Sequence, residues 1–162
     1  MQEDRVRRSV PFVLLAFYIA VLPVRAQSVE QTRIASLSAR LSDPDVRSRQ
    51  QAVTALKYMG AAAKEALPAL QNAIERDPDM NVRMGAVRAV GNLKAAAREA
   101  VPSLVFALRD NQACLRQVAA MALGLIGPDA RGASAALMAL RQDSDPLVRH
   151  SAEDAIARIG GH

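Results

Sequence analysis

The side chains able to do chemistry are few: His150, His162, Cys114, and repeated columns of aspartate and arginine. The histidines and the cysteine match no zinc spacing, and the chain has no nucleophile elbow and no phosphate-binding loop. His150 follows Arg149 in a helical stretch and reads as an exposed helix residue rather than a ligand. Cys114 has no second cysteine for an internal disulfide. It reads as a small apolar residue, with a free thiol for intermolecular pairing as the other reading. No catalytic residue, metal or cofactor is expected.

The charged columns are regular. Asp43, Asp77, Asp110 and Asp143 recur at spacings of 34, 33 and 33 residues, and Arg49, Arg83, Arg116 and Arg149 keep the same spacings. An aspartate at a turn caps a helix, and a stacked arginine can bridge to the aspartate of a neighbouring repeat. Structure, not catalysis, is the reading. A further basic column, Lys64, Arg98 and Arg131, has Glu65 and Glu99 beside its first two members. That is a solvated mixed surface.

Repeating charges need repeating elements to hold them. The small positions Ala52, Ala86, Ala119 and Ala152 fall in phase, as do Ala55, Ala89, Ala122 and Ala155. Larger apolar positions follow: Leu56, Val90, Leu123 and Ile156, then Met59, Leu93, Ile126 and Ile159. Ala86, Val90 and Leu93 run i, i+4, i+7, the stripe of a 3.6-residue period. Asp45, Asp79 and Asp145 precede these helices as N-caps. Gly60, Gly127 and Gly160 mark their ends, with Lys94 as the exception. A second helix follows each first one, with the stripes Leu67-Leu70-Ile74, Val101-Leu104-Leu108 and the weaker Leu137-Leu140. Pro68 and Pro102 sit early in these helices and are expected to bend them. Residues 29–42, with Ile34, Leu37 and Leu41, read as a second-type helix. The sequence closes on a first-type helix whose Glu153, Asp154 and Arg158 would make a polar cap. The hydrophobic share is 51%, dominated by Ala, and the aromatic share 3%. Ala and Leu favour helix. Close side-by-side packing suits so small a core, with Ala119 and Ala122 where facing helices come nearest.

The runs Asp77-Pro78-Asp79-Met80-Asn81-Val82-Arg83-Met84-Gly85-Ala86-Val87-Arg88-Ala89-Val90 and Ala97-Arg98-Glu99-Ala100-Val101-Pro102-Ser103-Leu104 resemble the HEAT-repeat family, its short-repeat, phycobilisome-lyase-like branch above all. The resemblance covers nearly all of residues 27–162. It implies an all-α fold, a right-handed α-α superhelix of about eight helices in about four repeats. It implies that the Asp and Arg ladders tie repeats together and that the second helices line a concave face. The family is mainly a scaffold, so a protein or peptide partner is the function implied. No His-Glu pairs recur here, which sets aside the di-iron hydroxylases of the family. Scaffold motifs match the bilin lyases, but chromophore-handling residues do not.

Ahead of the repeats, residues 1–26 read as a signal peptide. Arg5, Arg7 and Arg8 precede an apolar run of 15 residues, Val10 to Val24, and Val24-Arg25-Ala26 resembles a cleavage site. That run is short for a membrane span, which takes about 20 residues; an uncleaved anchor is the rival reading. A secreted or periplasmic protein, off the membrane once cleaved, is expected. Cleavage would leave 17 basic and 14 acidic residues, a net charge of +3. So small a charge, the export signal and the scarcity of stacking aromatics speak against a nucleic-acid partner. A structural module stacking end to end through its two ends is the other class kept open.

The resemblance places the partner on the exposed side of the second helices. Taking Leu104 as buried, a turn of about 100° per residue points Phe106 away from the core and Val105 sideways. Gln71 and Asn72 hold these positions in one repeat, Met138 and Ala139 in another. The expected site is therefore Gln71, Asn72, Glu75, Val105, Phe106, Arg109 and Met138, polar at one end and apolar at the other. Exposed aromatics beside methionine suit a binding hot spot. The competing reading folds Phe106 back on Leu137 or Met138 as a seal.

Overall fold

A computed structural model describes residues 27–161. The signal peptide read from residues 1–26 lies outside the described residues. The chain divides into two units after Arg33, and of the first only residues 27–33 are described. These are helical, and the Thr32 hydroxyl donates to the Ser28 carbonyl at 2.8 Å. None of the described helices is long and apolar enough to cross a membrane.

The described residues form eight α-helices and no strand. The first, α1, covers residues 27–40. Then come α2 (Val46–Met59), α3 (Leu67–Arg76), α4 (Met80–Asn92) and α5 (Val101–Ala107). The series ends with α6 (Ala113–Ile126), α7 (Ser134–Ala139) and α8 (Pro146–Gly160). First helices α2, α4, α6 and α8 pack in succession, each against the next. The all-α solenoid read from the repeats is the fold.

Local chemistry explains the boundaries. Asp45, Asp79 and Asp145 each hold extended backbone and accept amide hydrogens of the first turn. At the equivalent place in the third repeat stands Gln112, with the same backbone and no side-chain cap. Between first and second helices lie 3₁₀ segments, Gly60–Ala66, Lys94–Ala100 and Gly127–Ala133. Gly60 and Gly127 open two of them with φ of 54° and 73°. Lys94 takes the same position at φ 52°, a positive φ that L side chains rarely adopt and that costs about 1–3 kcal/mol. The last helix differs from expectation. Gly160 is its final residue, and Gly161 is the left-handed cap at φ 79°.

Pro68 and Pro102 do not bend the second helices. Each falls at the first two positions of its α-helix, where the missing N–H had no partner to lose. The 3₁₀ turn before them carries the change of direction instead.

Helical stripes supply the core. Ala52, Leu56, Ala86, Val90, Ala119, Leu123, Ala152 and Ala155 are buried, as are Leu70, Ile74, Leu104 and Leu137 from the second helices. Ile34, Leu37 and Leu41 are buried too. Ala55, Met59, Leu140 and Ile156 are only half-buried and pack on the core's edge. In the third repeat the second helix is short: α7 has six residues and gives way to a 3₁₀ turn, Leu140–Gln142. On α8 the exposed Glu153 and Asp154 pair with Arg141 and His150 at 3.6 and 3.5 Å. Cys114 is exposed on the first turn of α6, not a small core residue.

Candidate functional site

Alignment of the repeats depends on the Asp and Arg columns. Each aspartate of the column accepts the backbone N–H two residues on: Asp45, Asp79, Gln112 and Asp145, at 2.8–2.9 Å. Each arginine donates through Nη1 to two carbonyls of its own turn, Asp43 and Pro44 in the case of Arg49. What remains of the guanidinium reaches forward. Arg49 grips Asp77 at 2.8 and 3.1 Å, and Arg116 grips Asp143 at 2.7 and 2.8 Å. Arg83 meets Asp110 through one contact of 3.6 Å, and its buried Nε has no hydrogen-bond partner.

These pairs move the titrations as their geometry requires. The Arg116 hydrogen bonds pull the Asp143 carboxyl below its ordinary range, against the opposing effect of burial. Asp143 in turn raises Arg116, and Asp77 raises Arg49. Asp43 is lowered chiefly by the Asp45 N–H, and Asp79 chiefly by the Gln50 amide. The ladder is structural: its groups are consumed by each other and by the turns.

On the second helices the seven expected site residues divide. Phe106 and Met138 are each 55% exposed, on α5 and α7. At that exposure Phe106 is not a buried core residue. Arg109, just past the end of α5, is exposed as well. Val105 is half-buried and packs on the core. Gln71 and Glu75 are tied into the next repeat. The Gln71 amide donates to the Glu99 carbonyl at 3.2 Å, and Glu75 accepts the Ser103 hydroxyl at 2.6 Å. Asn72 is exposed but lines a separate recess with Leu41, Asp43, Arg76 and Asp77. The polar end of the expected groove is therefore largely internal bonding, and the apolar end is what stays free.

Sequence reasoning passed over the first helices. Met121 and Leu125 of α6 are 52% and 41% exposed, and Tyr58 of α2 is exposed too. A signal was present. The stretch Ala113–Ile126 is apolar nearly all round, more than one buried stripe demands. Lys64, Arg98 and Arg131 are exposed, as a solvated column should be.

Residues 34–123 match the family model for HEAT repeats. The chain belongs to the HEAT-repeat family. No curated protein matches it in sequence. Among solved structures, the complex of CpcE and CpcF of phycocyanin lyase from Nostoc sp. PCC7120 is similar, with a TM-score of 0.64 and 20% identity over 82% of this chain and 89% of that one. A designed armadillo repeat protein gives a TM-score of 0.62 and 23% identity, covering 76% of this chain and 63% of its own. An engineered protein gives 0.60 and 22%, covering 78% and 62%. This chain thus spans less than two thirds of the two designed proteins. At these identities the likeness is one of fold. HEAT repeats of this kind make protein-interaction scaffolds.

Proposed function

We propose that this HEAT-repeat chain is an exported, non-catalytic adaptor that binds a protein or peptide segment across its second helices. One observation carries the reading: Phe106 and Met138, two large apolar side chains on consecutive second helices, are each more than half exposed. A folded chain gains by burying such groups, and a rigid aromatic beside a methionine is an efficient anchor for a partner. Arg109 stands near the same end of α5, placed to pair with a carboxylate on the partner. The phycocyanin lyase structure of similar fold is itself a complex of two proteins. Export rests on Arg5, Arg7, Arg8 and the apolar run Val10 to Val24.

Phe106→Ala tests the binding site. Partner affinity should fall by about 2 kcal/mol or more while thermal stability barely moves. A loss of stability with unchanged affinity would place Phe106 in the core and remove it from the site. Export is tested by N-terminal sequencing of protein from the native host, which should begin at or near Gln27. Intact Met1 in a soluble cytoplasmic fraction would refute it.

A further inference from the structure

The first helices carry an asymmetry of their own. α2, α4 and α6 have 14, 13 and 14 residues, and none contains Asp or Glu. Arg49, Arg83 and Arg116 are used in the ladder. Lys57 and Arg88 are not, and no carboxylate pairs with either among the described residues.

Between these cations the surface is troughed. A groove of about 240 Å³ lies between α2 and α4, with Lys57 and Arg88 in its lining. The same two residues line a second groove of about 280 Å³, whose other side is Met121 and Leu125 of α6. Met121 and Leu125 also border a third, of about 270 Å³, which runs to Arg158 of α8. The first and second grooves share Lys57 and Arg88, and the second and third share Met121 and Leu125, so the three make a stepped row across successive helices. Its floor is close-packed backbone: a Cβ on Gly91 would stand 3.0 Å from that of Ala122, and one on Gly124 3.1 Å from the Ala155 Cα. Leu125 and Arg158 flank these points, each with a side-chain carbon 3.4 Å from the glycine's Cβ position. The carboxylate that enters the row, Asp154 at the α8 end, already faces His150 at 3.5 Å.

We infer that this face docks an acidic amphipathic helix of a partner protein, separately from the second-helix site. Met121 and Leu125, at i and i+4, form one apolar ridge and ask for apolar side chains. Lys57 lies 4.4 Å over the Tyr58 ring, and neither it nor Arg88 has a carboxylate partner among the described residues or on its own helix, so both ask for carboxylates beside them. Helix axes stand about 8–10 Å apart, so α2 to α6 spans roughly 18 Å, the length of about 12 helical residues. Lys57, Arg88 and Arg158 are the Lys and Arg side chains lining the three grooves, and three cations neutralise too few phosphates to hold nucleic acid tightly.

The test uses the full chain and fluorescein-labelled peptides of about 14 residues, with Leu at i, i+3, i+4 and i+7 and Glu elsewhere. A counterpart carries Lys in place of Glu, and vesicles of phosphatidylglycerol and phosphatidylcholine serve as a lipid arm. Fluorescence anisotropy should show saturable binding of the Glu peptide, weakened by salt and by roughly tenfold in Arg88→Glu and in Leu125→Asp. Both positions are exposed, and melting curves check that each variant folds; Arg88→Ala should weaken binding in the same direction. Phe106→Ala should leave this binding unchanged, which separates the two faces. Equal binding of the Glu and Lys peptides, or unaltered affinity in both variants, would overturn the inference. So would vesicle binding without peptide binding.

Discussion

Arg116 forks around Asp143 of the next repeat, Nε and Nη2 at 2.7 and 2.8 Å from the two carboxylate oxygens, while its Nη1 holds the Asp110 carbonyl at 2.9 Å. One guanidinium thus closes its own turn and locks the next repeat. The rung below is looser: Arg83 has a single 3.6 Å contact with Asp110. Bidentate pairs are stronger and more geometrically exacting. Replacing Arg116 by Met should therefore cost about 2 kcal/mol, the worth of hydrogen bonds to a charged group, and Arg83→Met about half that. Urea denaturation of the two variants gives the comparison. Equal losses would mean that the ladder's geometry does not set its strength.

Acid should weaken the same rung. The Asp143 carboxyl is held below its ordinary value of 3.8 by Arg116, so the folded state binds its proton less readily than the unfolded chain. That contribution is fully present above 3.8 and is lost as pH falls through the lower folded value. Asp43 and Asp79 shift the same way. Denaturation midpoints should hold level down to about pH 5 and drop steeply below about pH 4. Asp143→Asn should lower the plateau and flatten the drop. An unchanged slope in that variant would assign the acid sensitivity elsewhere.

Close approach of first helices makes Ala122 intolerant of size. Ala122 is buried, and the position of a Cβ on Gly91 lies 3.0 Å from its own. Leu there should overpack and cost about 1–3 kcal/mol. Ala139, exposed at the end of α7, should accept Leu with little change. Similar melting shifts for both would show that the assignment of helix faces is wrong.

Gln112 marks a cap the other repeats possess. Its φ and ψ of −87° and 117° nearly equal those of Asp79, −85° and 124°, yet its side chain caps nothing. Gln112→Asp should add about 1 kcal/mol, the usual worth of an N-cap. A thermal midpoint at or below that of the parent would show that the turn cannot present the carboxylate to the first amide groups of α6.

The fold was readable because the period is carried by residues with one job each. Asp45 and Asp79 cap, Ala86 and Ala119 pack closely, and Val90 and Leu123 fill the core at matching places. The candidate site was readable in part. A helical wheel suffices to turn Phe106 outward, because Leu104 is fixed inward. It does not tell which polar residues are spent. Gln71 and Glu75 looked free, yet each is bonded to a residue 28 positions on, a separation set by the stacking of repeats and not by any local period. Met121 and Leu125 were hidden for a related reason: on a helix apolar all round, pattern alone does not separate the buried stripe from the exposed one.

The central claim is that the second-helix face is where the partner lies. Photo-crosslinking in the native host tests it most directly. A benzophenone amino acid is placed at position 106 or 138, and at the exposed control positions 64 and 98. Discrete adducts at 106 and 138, absent at 64 and 98, are the result this account predicts. No adduct at 106 and 138, or adducts equally strong at 64 and 98, would contradict it.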